Sequence, residues 1–262
     1  MTQYDHLFTR HVFCNFSDID AITGGFQCGD LIAIASLPGI DKLTFALNIA
    51  YNASEYCPVA FFCLNMPKEQ VIIRLLSLES GIESSSLLTR SIWNSQKEAL
   101  NHAFEKIKKA QIVINDSSDL SDITVVDICN SVRQSKFNNE KIGMVVIDSL
   151  DVIKASSNLS KNKEFYRSVR NLKIFAREFN IPVIVLSSVK PEVDNRLNKR
   201  PFLSDLPGRI DEIANLVFFL HQDATEISIL EVIIAKNQNG PTSVIKLLFE
   251  PQFFRLRNLT QY

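Results

Sequence analysis

The run "SLPGIDKLTFALNIA", Ser36 to Ala50, joins a buried-looking strand, "DLIAIA", to an amphipathic helix pattern, "LTFALNIAYNASEY". Strand, short loop and helix entered at a lysine make the outline of a phosphate-binding loop, in which backbone N–H groups at a helix N-terminus wrap an anion. The pattern of such a loop, G-x-x-x-x-G-K-[ST], asks for two glycines, a lysine that reaches the terminal phosphates and a hydroxyl for Mg²⁺. With Lys42 as that lysine, Ser36 and Asp41 stand at the glycines and Leu43 at the hydroxyl, so only the lysine fits. A plain strand-to-helix turn carrying an ordinary lysine is the competing reading.

Outward from this loop, short apolar runs alternate with helical patterns. Strands are expected at 31–36, 59–64, 111–116, 143–148, 181–188, 216–222, 227–236 and 243–250. Those before about residue 190 are near-continuous apolar runs, the mark of parallel strands covered on both faces. The last three are joined by the short connections "DATE" and "NQNGPT", which suit antiparallel hairpins at the sheet edge. Helices are expected over 67–80, 95–110, 121–137 and 163–180, and irregular loops over 151–162 and 190–212. The alternation predicts a three-layer α/β domain around a mixed sheet. Without an internal repeat or a low-complexity linker, residues 13–262 read as one domain behind a short N-terminal tail, 1–12.

Composition narrows the function classes. The 28 Lys and Arg against 29 Asp and Glu give a net charge of −1, so any nucleic-acid contact must come from a local basic stretch. Five scattered cysteines form no CxxC pair and have no partnering histidines, which predicts free thiols in a reducing cytoplasm and no metal site. The start "MTQYDHLFTRHVF" has no signal-peptide pattern and no run approaches a membrane span, so a cytoplasmic protein with no membrane contact is expected.

The segment "CNFSDIDAITGGFQCGDLIAIASLPGIDKLTFALNIA" resembles the start of the C-terminal RecA-like domain of the DnaB-type replicative DNA helicases. The resemblance continues in "GMVVIDSLDVI", "LKIFAREFNIPVIVLSSV", "NKRPFLSDL" and "IIAKNQNGPT", over about residues 13–258. It implies a RecA-like fold with a central, mostly parallel sheet and antiparallel strands at the C-terminal edge. The family also carries an N-terminal helical domain and a linker helix that docks on the neighbouring subunit. Only about a dozen residues precede the matching region here, so that device is expected to be absent.

Position by position, the resemblance implies a damaged site. Asp41 puts bulk and negative charge where backbone and phosphate approach most closely. At ~5 Å and an effective dielectric of ~20 one such repulsion is ~3 kcal/mol. Lys42 could pair with Asp41 instead of a phosphate, and the Asp41 carboxylate, favourable at a helix N-terminus, could stand in for the missing anion. Leu43 offers no oxygen to Mg²⁺, and Thr44 could serve only if the helix began one residue later. Asp148 occupies the metal-binding strand end, with a turn-capping carboxylate as the alternative. Asn65 stands at the catalytic glutamate and cannot accept a proton. Ser188 replaces the phosphate-sensing glutamine. Lys236 is retained from the pair of residues given to the neighbouring site, but Gln238 takes the place of the arginine finger, a group worth ~10³ or more in rate. ATP and Mg²⁺ are therefore expected as cofactors only if the chain is an active motor.

The loops that line the DNA channel in the family match segments holding Lys154, Lys161, Lys163, Arg167 and Arg170, then Lys190, Arg196, Lys199, Arg200 and Arg209. This excess of positive charge suits single-stranded DNA. A solvated basic face, offset by Glu164, Glu192, Asp194 and Asp205, is the equal alternative. The expected function is a catalytically degenerate helicase-like pseudo-ATPase that binds DNA or a replicative helicase, as a monomer or small oligomer. The alternative is an active ATP-dependent helicase motor.

Overall fold

In a computed structural model the described residues are 11–116, 123–134, 136–137, 140–153 and 161–259. Their elements run β1 (His11–Val12), α1 (Ser17–Thr23), β2 (Phe26–Gln27), β3 (Leu31–Ser36), α2 (Lys42–Ala53), β4 (Val59–Cys63), α3 (Lys68–Ser80), α4 (Ser84–Leu88), α5 (Lys97–Lys109) and β5 (Ile112–Asp116). They continue with α6 (Val125–Gln134), β6 (Lys136–Phe137), β7 (Glu140–Lys141), β8 (Met144–Asp148), α7 (Lys161–Phe179), β9 (Val183–Ser188), α8 (Ile210–Ile213), β10 (Leu216–His221), β11 (Ile229–Asn237), β12 (Ser243–Glu250) and β13 (Arg255–Asn258).

Among the described residues nine strands form the main sheet in the order β13-β12-β11-β10-β3-β9-β8-β4-β5. The pairs from β10 through β5 are parallel, and β10–β11, β11–β12 and β12–β13 are antiparallel. The expected sheet is thus present, with β13 added beyond the last expected strand. The apolar runs follow from burial on two faces. Ile32 and Ile34 of β3 join Phe45 and Leu47 of α2 and Val71 and Leu75 of α3 in one core. Leu31, Ala33 and Ala35 face the other way, toward Ile128 of α6 and Leu172 and Phe175 of α7. Alternate residues of one strand therefore belong to two cores, and no polar face is left for period-two patterning to show.

Some boundaries differ from the sequence reading. The helix expected over 121–137 covers Val125–Gln134, and Lys136–Phe137 is a short strand paired antiparallel with Glu140–Lys141. Helix α7 opens at Lys161, inside the loop expected over 151–162, and Ile210–Ile213 of the expected loop 190–212 is helical. At the N-terminus His11 and Val12 pair with Gln27 and Phe26, so the end of the segment read as a tail adds a strand to the domain.

Candidate functional site

The loop between β3 and α2 lies at the carboxyl end of the parallel strands, where open α/β sheets place ligands. Gly39 takes a left-handed φ of 92° that lets the chain turn. The Ser36 hydroxyl donates to the carbonyls of Leu37 (3.0 Å) and Ile40 (3.2 Å), bracing the turn from inside.

Asp41 is the N-cap of α2. Its Oδ1 accepts the Thr44 backbone N–H at 3.0 Å and its Oδ2 the Thr44 hydroxyl at 2.8 Å. The third donor is Arg74 of α3, whose Nη1 lies 2.8 Å from Oδ2. The expected pairing with Lys42 is corrected by this contact. The capping geometry turns the Asp41 carboxylate onto Thr44, where Arg74 meets both, while the charge of Lys42 bears on Asp148. Arg74 escaped the sequence reading, although an arginine inside the apolar stretch "VIIRLL" is a visible signal that the side chain has a buried partner.

Helix α2 begins at Lys42, so Thr44 does not move into the hydroxyl position and its own hydroxyl serves the cap. Leu43, only 5% exposed, packs into the core shared with α2 and α3. Asp148, at the end of β8, is also buried. Burial pushes its carboxyl up to about 6, against the opposing pull of Lys42 and a hydrogen bond from Asn65. Asn65 follows β4 and its Nδ2 donates weakly to Asp148 Oδ1 (3.5 Å) and Ser149 Oγ (3.4 Å). Glu69 is exposed in the first turn of α3. Ser188 is tied to a different carboxylate, its N–H and Oγ donating to Asp151 Oδ2 at 3.0 and 2.9 Å. Asn65 and Asp148 are thus brought together with the charge of Lys42 bearing on Asp148, while Asp41 and Ser188 are hydrogen-bonded to other partners and Leu43 is packed in the core.

Lys236 and Gln238 sit apart from this cluster. Lys236 pairs with Val217 of β10, whereas Ser36 pairs with Leu220, three rows further along and one strand beyond. At about 3.3 Å per row they are separated by roughly 10 Å along the strand direction alone. Lys236 Nζ donates to the Asp211 carbonyl at 2.7 Å. Gln238 N donates to the Asn215 carbonyl (3.1 Å), and the Asn215 amide donates to Gln238 Oε1 (2.6 Å).

Among the candidate DNA contacts, Lys154 lies outside the described residues and Lys161 is described only as the first residue of α7. Lys163, Arg167 and Arg170 are exposed on α7. The second cluster is largely neutralised within the chain. Lys190 Nζ donates to the Ser204 carbonyl (2.6 Å), Arg196 forks onto Asp205, Lys199 pairs with Asp194 (2.7 Å), Arg200 with Glu231 (2.6 Å) and Arg209 with Glu212. Lys199 and Asp194 are both exposed, and such pairs exchange at little cost. No helix among the described residues is long and apolar enough to cross a membrane, and none of their His, Cys, Asp and Glu side chains cluster in threes suited to a metal.

Comparison with known proteins bears on this geometry as a whole. The chain is 38% identical over 253 residues to a probable replicative DNA helicase of Trieres chinensis, covering 91% of this chain and 55% of that protein. It is 36% identical over 256 residues to the replicative DNA helicase DnaB of Geobacillus stearothermophilus, covering 93% and 56%. The chain thus spans about half the length of these curated relatives. Among solved structures, one of an isolated ATPase domain superposes with a TM-score of 0.90 at 30% identity, covering 96% of this chain and 92% of that one. A DnaB-like replicative helicase, solved in a study of its interactions with primase, gives the same score and identity and covers 96% and 62%. A KaiC-like protein of Pyrococcus horikoshii shares the fold alone, at 21% identity and a TM-score of 0.63. The model of the DnaB-like helicase C terminal domain matches residues 12–258, and the chain belongs to that family.

Proposed function

We propose that this chain is a helicase-like protein of DNA replication that has lost ATP hydrolysis. It acts as a pseudo-ATPase adaptor, binding single-stranded DNA or a replicative helicase subunit through its RecA-like surface. The observation that carries the reading is Leu43. At the position where a phosphate loop presents its Mg²⁺ hydroxyl, an apolar side chain is folded into the core. Supporting it, Asn65 provides an amide and no carboxylate beside Asp148, and Ser188 and Gln238 are hydrogen-bonded within the chain. Without the metal-binding hydroxyl, a general base or an arginine finger, a bound triphosphate would lack groups that stabilise phosphoryl transfer.

Titration with a fluorescent ATP analogue and Mg²⁺ tests the reading. No saturable binding at micromolar concentration is expected. Binding that Lys42→Ala abolishes, together with phosphate release, would establish the alternative of an active motor. That alternative rests on the retained Lys42 and Asp148 and on the activity named for the relatives. For the adaptor role, salt-dependent binding of single-stranded DNA is expected at low ionic strength. Absence of binding to both single-stranded DNA and a replicative helicase would remove that role. A monomer or small oligomer is proposed, because a chain that binds no nucleotide has none to bridge its site to the next. Sedimentation at micromolar concentration checks it.

A further inference from the structure

The N-terminus of α2 gathers positive charge from several sources. Lys42 is its first residue, the helix dipole adds a positive end, and Arg74 reaches across from α3. The Arg74 side chain is 18% exposed and its guanidinium lies 4.2 Å above the ring of Phe254. Phe254 is fixed in turn, because its carbonyl accepts Nδ2 of Asn48 on α2 at 2.9 Å. The guanidinium is therefore held in place by packing, and a cation so covered is stable only beside an anion. Asp41 supplies that anion, and the donors that converge on it, a first-turn backbone N–H, a hydroxyl and a guanidinium, are those that elsewhere receive a phosphate.

We infer that the Asp41 carboxylate is a tethered anion that fills the phosphate position of the loop, with Arg74 and Thr44 as the groups that hold it. The inference rests on the loss of ATP turnover proposed above and adds a cause for the loss of binding. The cationic receptor persists and its occupant is built into the chain. Removing the carboxylate uncovers a receptor for oligophosphates. Asn in place of Asp keeps the size and helix-capping capacity of the residue, while Gly also clears its bulk.

The test measures inorganic pyrophosphate binding by isothermal titration calorimetry at low ionic strength, with circular dichroism to establish that each variant is folded. Asp41→Asn and Asp41→Gly are expected to bind at least tenfold more tightly than the natural chain. The gain approaches about hundredfold if one full charge repulsion is removed. Adding Arg74→Ala to Asp41→Gly is expected to abolish the gain. Folded Asp41→Asn and Asp41→Gly proteins that bind no better than the natural chain would overturn the inference and leave the proposed loss of hydrolysis standing. ATP hydrolysis by the natural chain would instead overturn the proposed function. A gain that survives Arg74→Ala would show that Arg74 is not the receptor and would also overturn the inference.

Discussion

Arg196 holds Asp205 with two nitrogens, Nη1 at 2.8 Å from one carboxylate oxygen and Nη2 at 2.6 Å from the other. Asp205 is 3% exposed, also accepts the Phe202 N–H at 2.8 Å, and its carboxyl is held below the usual range chiefly by Arg196. Such a fork, closed on a buried carboxylate, is part of the loop's framework. Arg196→Ala leaves that buried carboxylate without its cation and is expected to lower the denaturation midpoint measurably. Lys199→Ala, by contrast, is expected to change stability by less than about 0.5 kcal/mol. Urea denaturation of the two variants checks the contrast.

Lys163 and Arg167 stand exposed on α7. If they meet the backbone of single-stranded DNA, the double variant Lys163→Ala, Arg167→Ala lowers the slope of log affinity against log salt by about 1.4, at about 0.7 per contact. Fluorescence anisotropy at several salt concentrations reads this slope. An unchanged slope would place the DNA contact elsewhere or remove it.

Asp148 links stability to pH with a definite sign. Its carboxyl titrates at about 6 in the fold against an ordinary 3.8, because burial disfavours the ionised form. The contribution favouring the fold is therefore fully present below about pH 4 and is lost as pH rises through 6. At 1.36 kcal/mol per pKa unit the difference is about 3 kcal/mol at neutral pH. Asp148→Asn is expected to be more stable than the natural chain at pH 7.5, with the advantage fading between pH 6 and 4. Melting temperatures of both proteins across that range check it.

Leu43→Thr restores the hydroxyl of a phosphate loop on paper. It also removes buried apolar volume and brings a polar group into the core, and a cost of about 2 kcal/mol is expected. Phosphate release in the presence of Mg²⁺ and ATP is expected to stay at background, because Asp41 and Asn65 remain. A shifted denaturation midpoint with unchanged ATPase would agree with both statements.

The layered plan is legible in the order of residues. "LIAIAS", "VAFFCL", "GMVVID" and "IPVIVLSS" are apolar on both faces, and only a sheet covered on both sides can bury them. The departures that the family resemblance implies at Asp41, Leu43, Asn65, Ser188 and Gln238 also rest on the residue order alone. Short elements such as β1, α4 and β13 were not legible, because two to five residues carry too little periodicity to register.

Tertiary structure alone decided the partners. Asp41 and Arg74 are 33 residues apart and meet only because α2 and α3 pack on the same face of the sheet. Charge counting found a basic cluster from Lys190 to Arg209, and folding set carboxylates against much of it, Asp205 and Glu231 among them. Which charges face solvent and which face each other depends on distances between distant segments, and a linear pattern does not contain them.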